Sequence, residues 1–312
     1  SQSIMLALGL LGVPLIAWSA RFIIPMDPSA WRWVIFLPAV GVVAAFAAHW
    51  LLPESVRWQE ENGRGERSRA LVERLENETT ARTGQPLPPV VEVPAQPRQG
   101  LGRLLGDRRN RRVVLVASVT MAFGILGIYG FNAWVPTLLT EQGYSTESAL
   151  SVSAVLAVAP ILGALAATLV IDRWERKNVG FVVSLTIAIA ILGFAFSTAT
   201  WGVVVSGFAA TMLLQTTTAI MYAYLPEVFP TSLRGIGSGV ANGTGRLAGF
   251  AGGFLVAALL AGFGYQVSLV VTTGFVLASG VTLVLFGERT RGRALEEIST
   301  QSTTGQRRLD PR

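Results

Sequence analysis

The chain has 312 residues, of which 51% are hydrophobic and only 14% charged, yet its net charge is +6 and its pI lies near 10.4. Soluble chains average roughly 25% charge, and a nucleic-acid binder of such pI would carry Lys and Arg throughout. Here the charges fall in clumps between long uncharged stretches and the mean hydropathy is +0.50, which argues against a nucleic-acid partner and for a polytopic, all-α membrane protein whose partner is the lipid bilayer. Cysteine is absent and His49 is the one histidine, so disulfides, thiolate chemistry and multi-histidine metal sites are excluded and no cofactor is expected.

A membrane-spanning helix needs about 20 mostly apolar residues, because each backbone polar group must be bonded within the segment. In chain order, the candidates begin with Ser1 to about Ile24 and about Val34 to Leu52, followed by Val113–Leu139 and Ala149–Ile171. The uncharged stretch from Asn178 to Pro226 is too long for one span and divides at the turn-like cluster 197–202, giving spans five and six. The last two run from about Gly235 to Ala261 and from about Val267 to Phe286, separated by Gly262–Gln266. Eight spans put both ends on one side. With the amino terminus inside, 22 of the 25 Lys and Arg fall in inner segments, Arg21 and Arg32 fall outside, and Arg246 lies within span seven. That asymmetry predicts both ends cytoplasmic in a plasma (inner) membrane. Trp18, Trp31, Trp33, Trp50, Trp134 and Trp201 sit near span ends, as an interfacial aromatic belt requires.

The long inner segment has three parts. Residues 54–80 read as a charged surface helix, and Gln85 to Pro97, with five prolines, as an extended linker. Leu101, Leu104 and Leu105, followed by Arg108, Arg109, Arg111 and Arg112, read either as a short interfacial helix on anionic lipid or as a basic cluster that sets topology. Ser1 opens directly in a hydrophobic span without a basic flank, so the chain reads as starting partway through a larger protein.

Polar groups inside the spans mark the candidate site. Arg246 lies eleven residues past Gly235, roughly 16 Å deep at 1.5 Å per residue, where a charge usually faces a cavity or a partner. It suits a bidentate anchor for an anionic substrate or a structural bond to neighbouring carbonyls. Ser238, Asn242, Arg246 and Gly249 share one face. Gly235, Gly239 and Gly243, and likewise Gly245, Gly249 and Gly253, recur every four residues, the spacing of close helix packing. Span six presents Thr211, Gln215, Thr218 and Tyr222 in register, either a cavity wall or helix-to-helix glue. Tyr129 and Asn132 share a face of span three beside Gly127, Gly130 and Pro136, where the helix is able to bend. No carboxylate lies at mid-span, and no metal cluster, nucleophile motif or paired carboxylates supports an enzyme.

Four motifs at inner span ends resemble those of the major facilitator superfamily. Pro53-Glu54-Ser55-Val56-Arg57-Trp58 is similar to the signature after the family's sixth helix. Asp172-Arg173-Trp174-Glu175-Arg176-Lys177 resembles the loop between helices eight and nine, with Glu175 in place of its usual Gly. Pro226-Glu227-Val228-Phe229-Pro230-Thr231 with Arg234-Gly235 resembles the loop before helix eleven, and 287–298 the tail after helix twelve. The group most resembled is the sugar porters and metabolite:proton symporters. The resemblance implies residues 1–53 as the last two helices of an incomplete N-terminal bundle and 54–112 as the inter-half cytoplasmic loop. It implies 113–287 as a complete C-terminal six-helix bundle and 288–312 as a cytoplasmic tail, with the first four helices of the same protein missing. It further implies transport of a small-molecule substrate by alternating access with the proton as coupling ion, Tyr129, Asn132, Gln215, Thr218, Tyr222, Asn242 and Arg246 at the substrate, and Glu54, Arg57, Asp172, Arg173, Arg176, Glu227 and Arg234 as an inner gate. Span three lacks the glutamines usual in sugar porters, and its Trp134 and Pro136 followed by Gly143-Tyr144-Ser145 are more similar to aromatic-acid and nicotinate-type symporters. With Arg246 this favours organic or aromatic acids; a sugar or polyol porter and a transport-inactive regulator of the same fold are the alternatives.

Overall fold

A computed structural model of the chain describes residues 8–51, 54, 56, 59, 63, 65–84, 100–171, 174–230 and 233–288. The helices, in chain order, are α1 (Gly12–Ile23, continued by a 3-10 turn over Ile24–Met26), α2 (Trp31–Phe36), α3 (Ala39–Leu51), α4 (Gly65–Thr83), α5 (Leu101–Gly106), α6 (Arg108–Asn132), α7 (Val135–Glu141), α8 (Thr146–Leu156), α9 (Ala159–Ile171), α10 (Arg176–Phe196), α11 (Thr200–Val228) and α12 (Arg234–Phe286). Among the described residues there is no strand. The proline-rich stretch expected as a linker, residues 85–97, lies outside the described residues.

Among the described residues, all eight apolar segments read from the sequence are mainly helical, with boundaries that Pro and Gly adjust. Span two comprises α2 and α3, parted ahead of Ala39 by Pro38. Span three ends at Asn132 rather than Leu139, because the chain turns at Ala133–Trp134 and Pro136 starts α7. Span four is α8 and α9, interrupted at Ala157–Val158 just before Pro160. Spans seven and eight part within Gly262–Gln266, as expected: α12 is two helices that meet at Gly264, whose φ of 81° and ψ of 177° are non-helical. A straight helix of 53 residues would be about 80 Å long, far beyond a ~30 Å hydrocarbon core. Glycine alone takes that backbone conformation cheaply, so Gly264 is where the chain reverses.

Packing divides the chain into two units. Arg32–Gln96 holds most of α2 together with α3 and α4. Within it Gln59 donates to the Glu54 carbonyl (3.4 Å), and Arg74 pairs with Glu78 one turn on in α4 (3.0 Å). His49 is exposed and meets Trp50 edge to face.

The other unit, Ser1–Trp31 with Pro97–Arg312, is a helix bundle. In it α12 packs on α6 and α10, α11 on α9 and α10, and α8 on α1. Its interior is mainly apolar, as in a soluble bundle, but its outer surface is apolar too and small hydroxyl side chains are buried between helices. Leu115, Ile189, Val205, Leu247, Phe250, Phe254 and Leu285 are exposed, whereas Thr120, Ser184, Thr211, Thr216, Ser268 and Thr272 are buried. Lipid tails accept the first set, and helix contacts use the second. Most of these hydroxyls bond the carbonyl four residues back, as Thr272 does to Ser268 (2.8 Å) and Ser184 to Gly180 (2.8 Å).

Small residues set the interhelical distances. A Cβ built on Gly163 of α9 would collide with the Met212 carbonyl of α11 and come within 3.1 Å of the Gln215 Cβ. Thr216 completes this crossing by donating to the Gly163 carbonyl (3.0 Å). At the end of α1, the Asp27 carboxylate accepts from the Ser29 hydroxyl (2.6 Å) and amide (2.7 Å), which holds its pKa below the ordinary value. This turn is therefore intact at neutral pH and weakens as pH falls through the carboxylate range.

Two glycines on different faces separate packing from propensity. Gly163→Ala should lower stability by about 1–3 kcal/mol, because backbone must shift. Gly239→Ala, with no neighbour within 4 Å, should be neutral or raise it by up to about 1 kcal/mol. Thermal unfolding of the two variants in one detergent checks the contrast.

Candidate functional site

The site is built on α6. Tyr129 and Asn132 are one turn apart on it, and each is bonded to a different helix. Arg246 Nη1 of α12 donates to the Tyr129 hydroxyl at 3.1 Å. Thr211 Oγ1 of α11 donates to Asn132 Oδ1 at 3.3 Å. Two polar contacts thus join three helices through one α6 face. Gln215 lies one turn beyond Thr211 on α11, half-buried beside the close α9 crossing.

Glycine makes the Arg246–Tyr129 contact reachable. A Cβ on Gly249 would lie 2.9 Å from both Tyr129 Cδ2 and Ile125 Cγ2, and one on Gly245 would lie 3.1 Å from Ile125 Cγ1. The expected row Gly245, Gly249, Gly253 is therefore a packing row in its first two members. Gly252, whose Cβ would meet Leu126 Cδ2 at 2.8 Å, takes over from Gly253. Gly235, Gly239 and Gly243 have nothing within 4 Å.

The remaining sequence candidates behave differently. Thr218 spends its hydroxyl on the Leu214 carbonyl (3.0 Å), and Asn242 spends its amide nitrogen on the Ser238 carbonyl (3.0 Å). Tyr222 is half-buried on α11. Arg246 is exposed, and no carboxylate among the described residues pairs with it. A mid-span guanidinium with one phenol partner retains donors for a further anion.

The charged end of the bundle is held by ion pairs, one of which joins two of the residues expected at the inner gate. Arg176, at the start of α10, donates to Glu227 near the end of α11 (3.0 Å), and Arg109 of α6 pairs with Glu288 just past α12 (2.9 Å). Lys177, the one lysine, donates to the carbonyls of Val284 (3.4 Å) and Gly287 (3.5 Å), and the Tyr224 hydroxyl donates to the Glu288 carbonyl (3.1 Å). A cation is favourable at a helix C-terminus, where carbonyls lack intrahelical donors. Of the other gate candidates, Arg234 is half-buried at the start of α12 and Glu54 belongs to the second unit; Arg57, Asp172 and Arg173 lie outside the described residues. At the opposite end, Arg21 of α1 donates to Glu147 (2.7 Å) and to the Ser151 hydroxyl of α8. Only its position near a span end was visible in the sequence.

The profile of the family described as "Sugar (and other) transporter" matches residues 3–301. A putative metabolite transport protein of Bacillus subtilis, YyaJ, is 32% identical over 292 residues, 92% of this chain and 64% of the relative. The niacin transporter NiaP of Acinetobacter baylyi is 26% identical, with 92% and 62% covered. Among solved structures, the major facilitator superfamily proton:xylose symporter XylE superposes with a TM-score of 0.67 at 18% identity, over 94% of this chain and 64% of the other. The chain belongs to the family of sugar (and other) transporters, multi-pass membrane transporters and not enzymes, and it shares the fold of its major facilitator superfamily neighbour. It spans slightly under two-thirds of the length of these relatives.

The Thr211–Asn132 contact is open to direct measurement. Thr211→Val keeps the shape, deletes the donor and should cost about 1 kcal/mol. Combined with Asn132→Leu, the loss should be less than additive in a double-mutant cycle read by thermal unfolding; strict additivity would show that the two side chains do not interact.

Proposed function

We propose that the chain forms the larger part of a secondary transporter that moves a small organic acid, aromatic acids included, by alternating access with proton coupling. The carrying observation is Arg246: a guanidinium deep within a span, exposed, bonded to the Tyr129 phenol and lacking a carboxylate partner among the described residues. A substrate carboxylate supplies the missing counter-charge in bidentate geometry, and a charge-assisted bond is among the stronger polar contacts. Asn132, Gln215, Thr218, Tyr222 and Asn242 then supply neutral donors and acceptors around the substrate body. The relative named a niacin transporter, niacin being an aromatic carboxylic acid, supports this substrate class. The neighbour named a proton:xylose symporter supports proton coupling.

A sugar or polyol substrate is the second reading. It is favoured by the neutral amides at Asn132 and Gln215 and by the relative named a D-xylose transporter. Arg246 separates the two. In counterflow with proteoliposomes of the full-length protein, Arg246→Gln should reduce uptake of an aromatic acid about 10–100-fold, the loss of ~1.5–3 kcal/mol expected for a charged hydrogen bond. Arg246→Lys should recover only part, because the ammonium lacks the planar fork. Undiminished acid uptake by the Gln variant, or xylose counterflow indifferent to it, would favour the sugar reading.

We further infer that the end carrying Arg109, Arg176, Glu227 and Glu288 faces the cytoplasm in the inner membrane, where 22 of 25 basic residues lie by the eight-span reading. Arg176 and Glu227, with Glu54, Arg57, Asp172, Arg173 and Arg234, bias the closed inner gate. Glu227→Gln should raise labelling of an introduced inner-cavity cysteine by a membrane-impermeant thiol reagent; unchanged labelling would remove these charges from the gate.

A further inference from the structure

The start of α6 sets its own charges against its dipole. Four of its first five residues are Arg108, Arg109, Arg111 and Arg112, and its first turn holds no acidic side chain. A helix N-terminus carries partial positive charge and favours anions, so four guanidinium groups there repel both the dipole and one another. Two acidic groups offset this in part. Asp107 caps the helix by accepting from the Asn110 amide (3.3 Å), and Glu288 pairs with Arg109. Arg108, Arg111 and Arg112 are exposed and form no ion pair among the described residues.

Their placement tells what completes them. Positions 108, 111, 112 and 115 share one helix face, and Leu115, one turn beyond the arginines, is 63% exposed. The face thus changes from cationic to apolar within about 10 Å. A soluble anion would meet only the first part of this gradient, whereas a phospholipid matches both, phosphate against guanidinium and acyl chain against leucine. The preceding helix α5 holds the cluster in place. Leu104 is fully buried in the core formed with Val113, Val114 and Ala117, while its neighbour Leu105 remains 48% exposed. One leucine fixes α5 to the bundle and the other stays available to lipid, so α5 is neither wholly a surface helix nor wholly core.

We propose that Arg108, Arg111 and Arg112 form a binding surface for the headgroup of an anionic phospholipid, whose acyl chain runs along Leu115. The lipid phosphate relieves the charge conflict at the start of α6. It also ties α5, and so the segment entering the bundle, to the membrane surface. This site is separate from Arg246 and is independent of what the transporter carries.

The test uses the purified chain in phosphatidylcholine nanodiscs containing a minor fraction of phosphatidylglycerol, with retained phosphatidylglycerol counted by native mass spectrometry. Reconstituted after insertion, the protein no longer depends on these arginines for topology, so a purely topological role predicts no difference between variants. Wild type should retain phosphatidylglycerol in preference to phosphatidylcholine, and each single Arg→Gln change at 108, 111 or 112 should weaken retention about fivefold, equivalent to ~1 kcal/mol per basic residue. The triple variant should retain it no better than phosphatidylcholine, and Arg→Lys at all three should keep much of the preference. Should the triple variant fail to fold, the three singles carry the test. Singles indistinguishable from wild type, or displacement of the lipid by millimolar inorganic phosphate, would overturn the proposal.

Discussion

The distance between α6 and α12 governs the polar interior of this bundle. Lipid tails give two apolar helices no hydrophobic reason to associate, so van der Waals contact and interhelical hydrogen bonds must hold them. Gly245 and Gly249 supply the contact by letting the α12 backbone reach Ile125 and the Tyr129 ring. At that separation the Arg246 guanidinium reaches the Tyr129 hydroxyl. A methyl group at Gly249 would displace the ring or the helix, and the polar pair would part. The same α6 face is tied to α11 through Asn132 and Thr211. One helix therefore sets the relative positions of the polar groups on the other two, and its spacing of three residues between Tyr129 and Asn132 is what keeps them on one side.

How much of this could be read from the sequence follows from the range of each interaction. The spans were legible because charge-free length is a local property. Breaks at Pro38, Pro136 and Pro160 are likewise local: Pro136, inside the apolar stretch that runs to Leu139, opens a separate helix. The separation at Gly262–Gln266 is local as well, since a single positive φ at Gly264 suffices to reverse the chain. Harder to read was which of two glycine rows packs, since rows of equal spacing differ only in which neighbour they face. Gly245 and Gly249 meet α6, whereas Gly239 and Gly243 meet nothing.

The candidate site was legible in composition and not in pairing. Tyr129 and Arg246 are separated by 117 residues, Asn132 and Thr211 by 79, and no pattern in one sequence links such positions. The hydroxyls of the span-six stripe do not all bond alike. Thr218 turns back to the carbonyl of Leu214, four residues earlier, because a helix buried in lipid leaves a threonine few better acceptors. Thr211 escapes that fate because Asn132 stands opposite. Spacing alone identifies a polar face; the neighbour decides whether its groups are free.

The basic residues illustrate one charge type put to three uses. Arg176 and Arg109 bond to carboxylates on other helices, and Lys177 reaches the terminal carbonyls of α12. Arg108, Arg111 and Arg112 remain exposed at the start of α6. The first two uses connect α6, α10, α11 and α12 to one another at a single end, so those helices are braced against relative sliding there. Bracing at one end and glycine contact farther along the bundle act together: the ion pairs resist sliding where the helices end, and the glycine crossing holds the Arg246–Tyr129 distance.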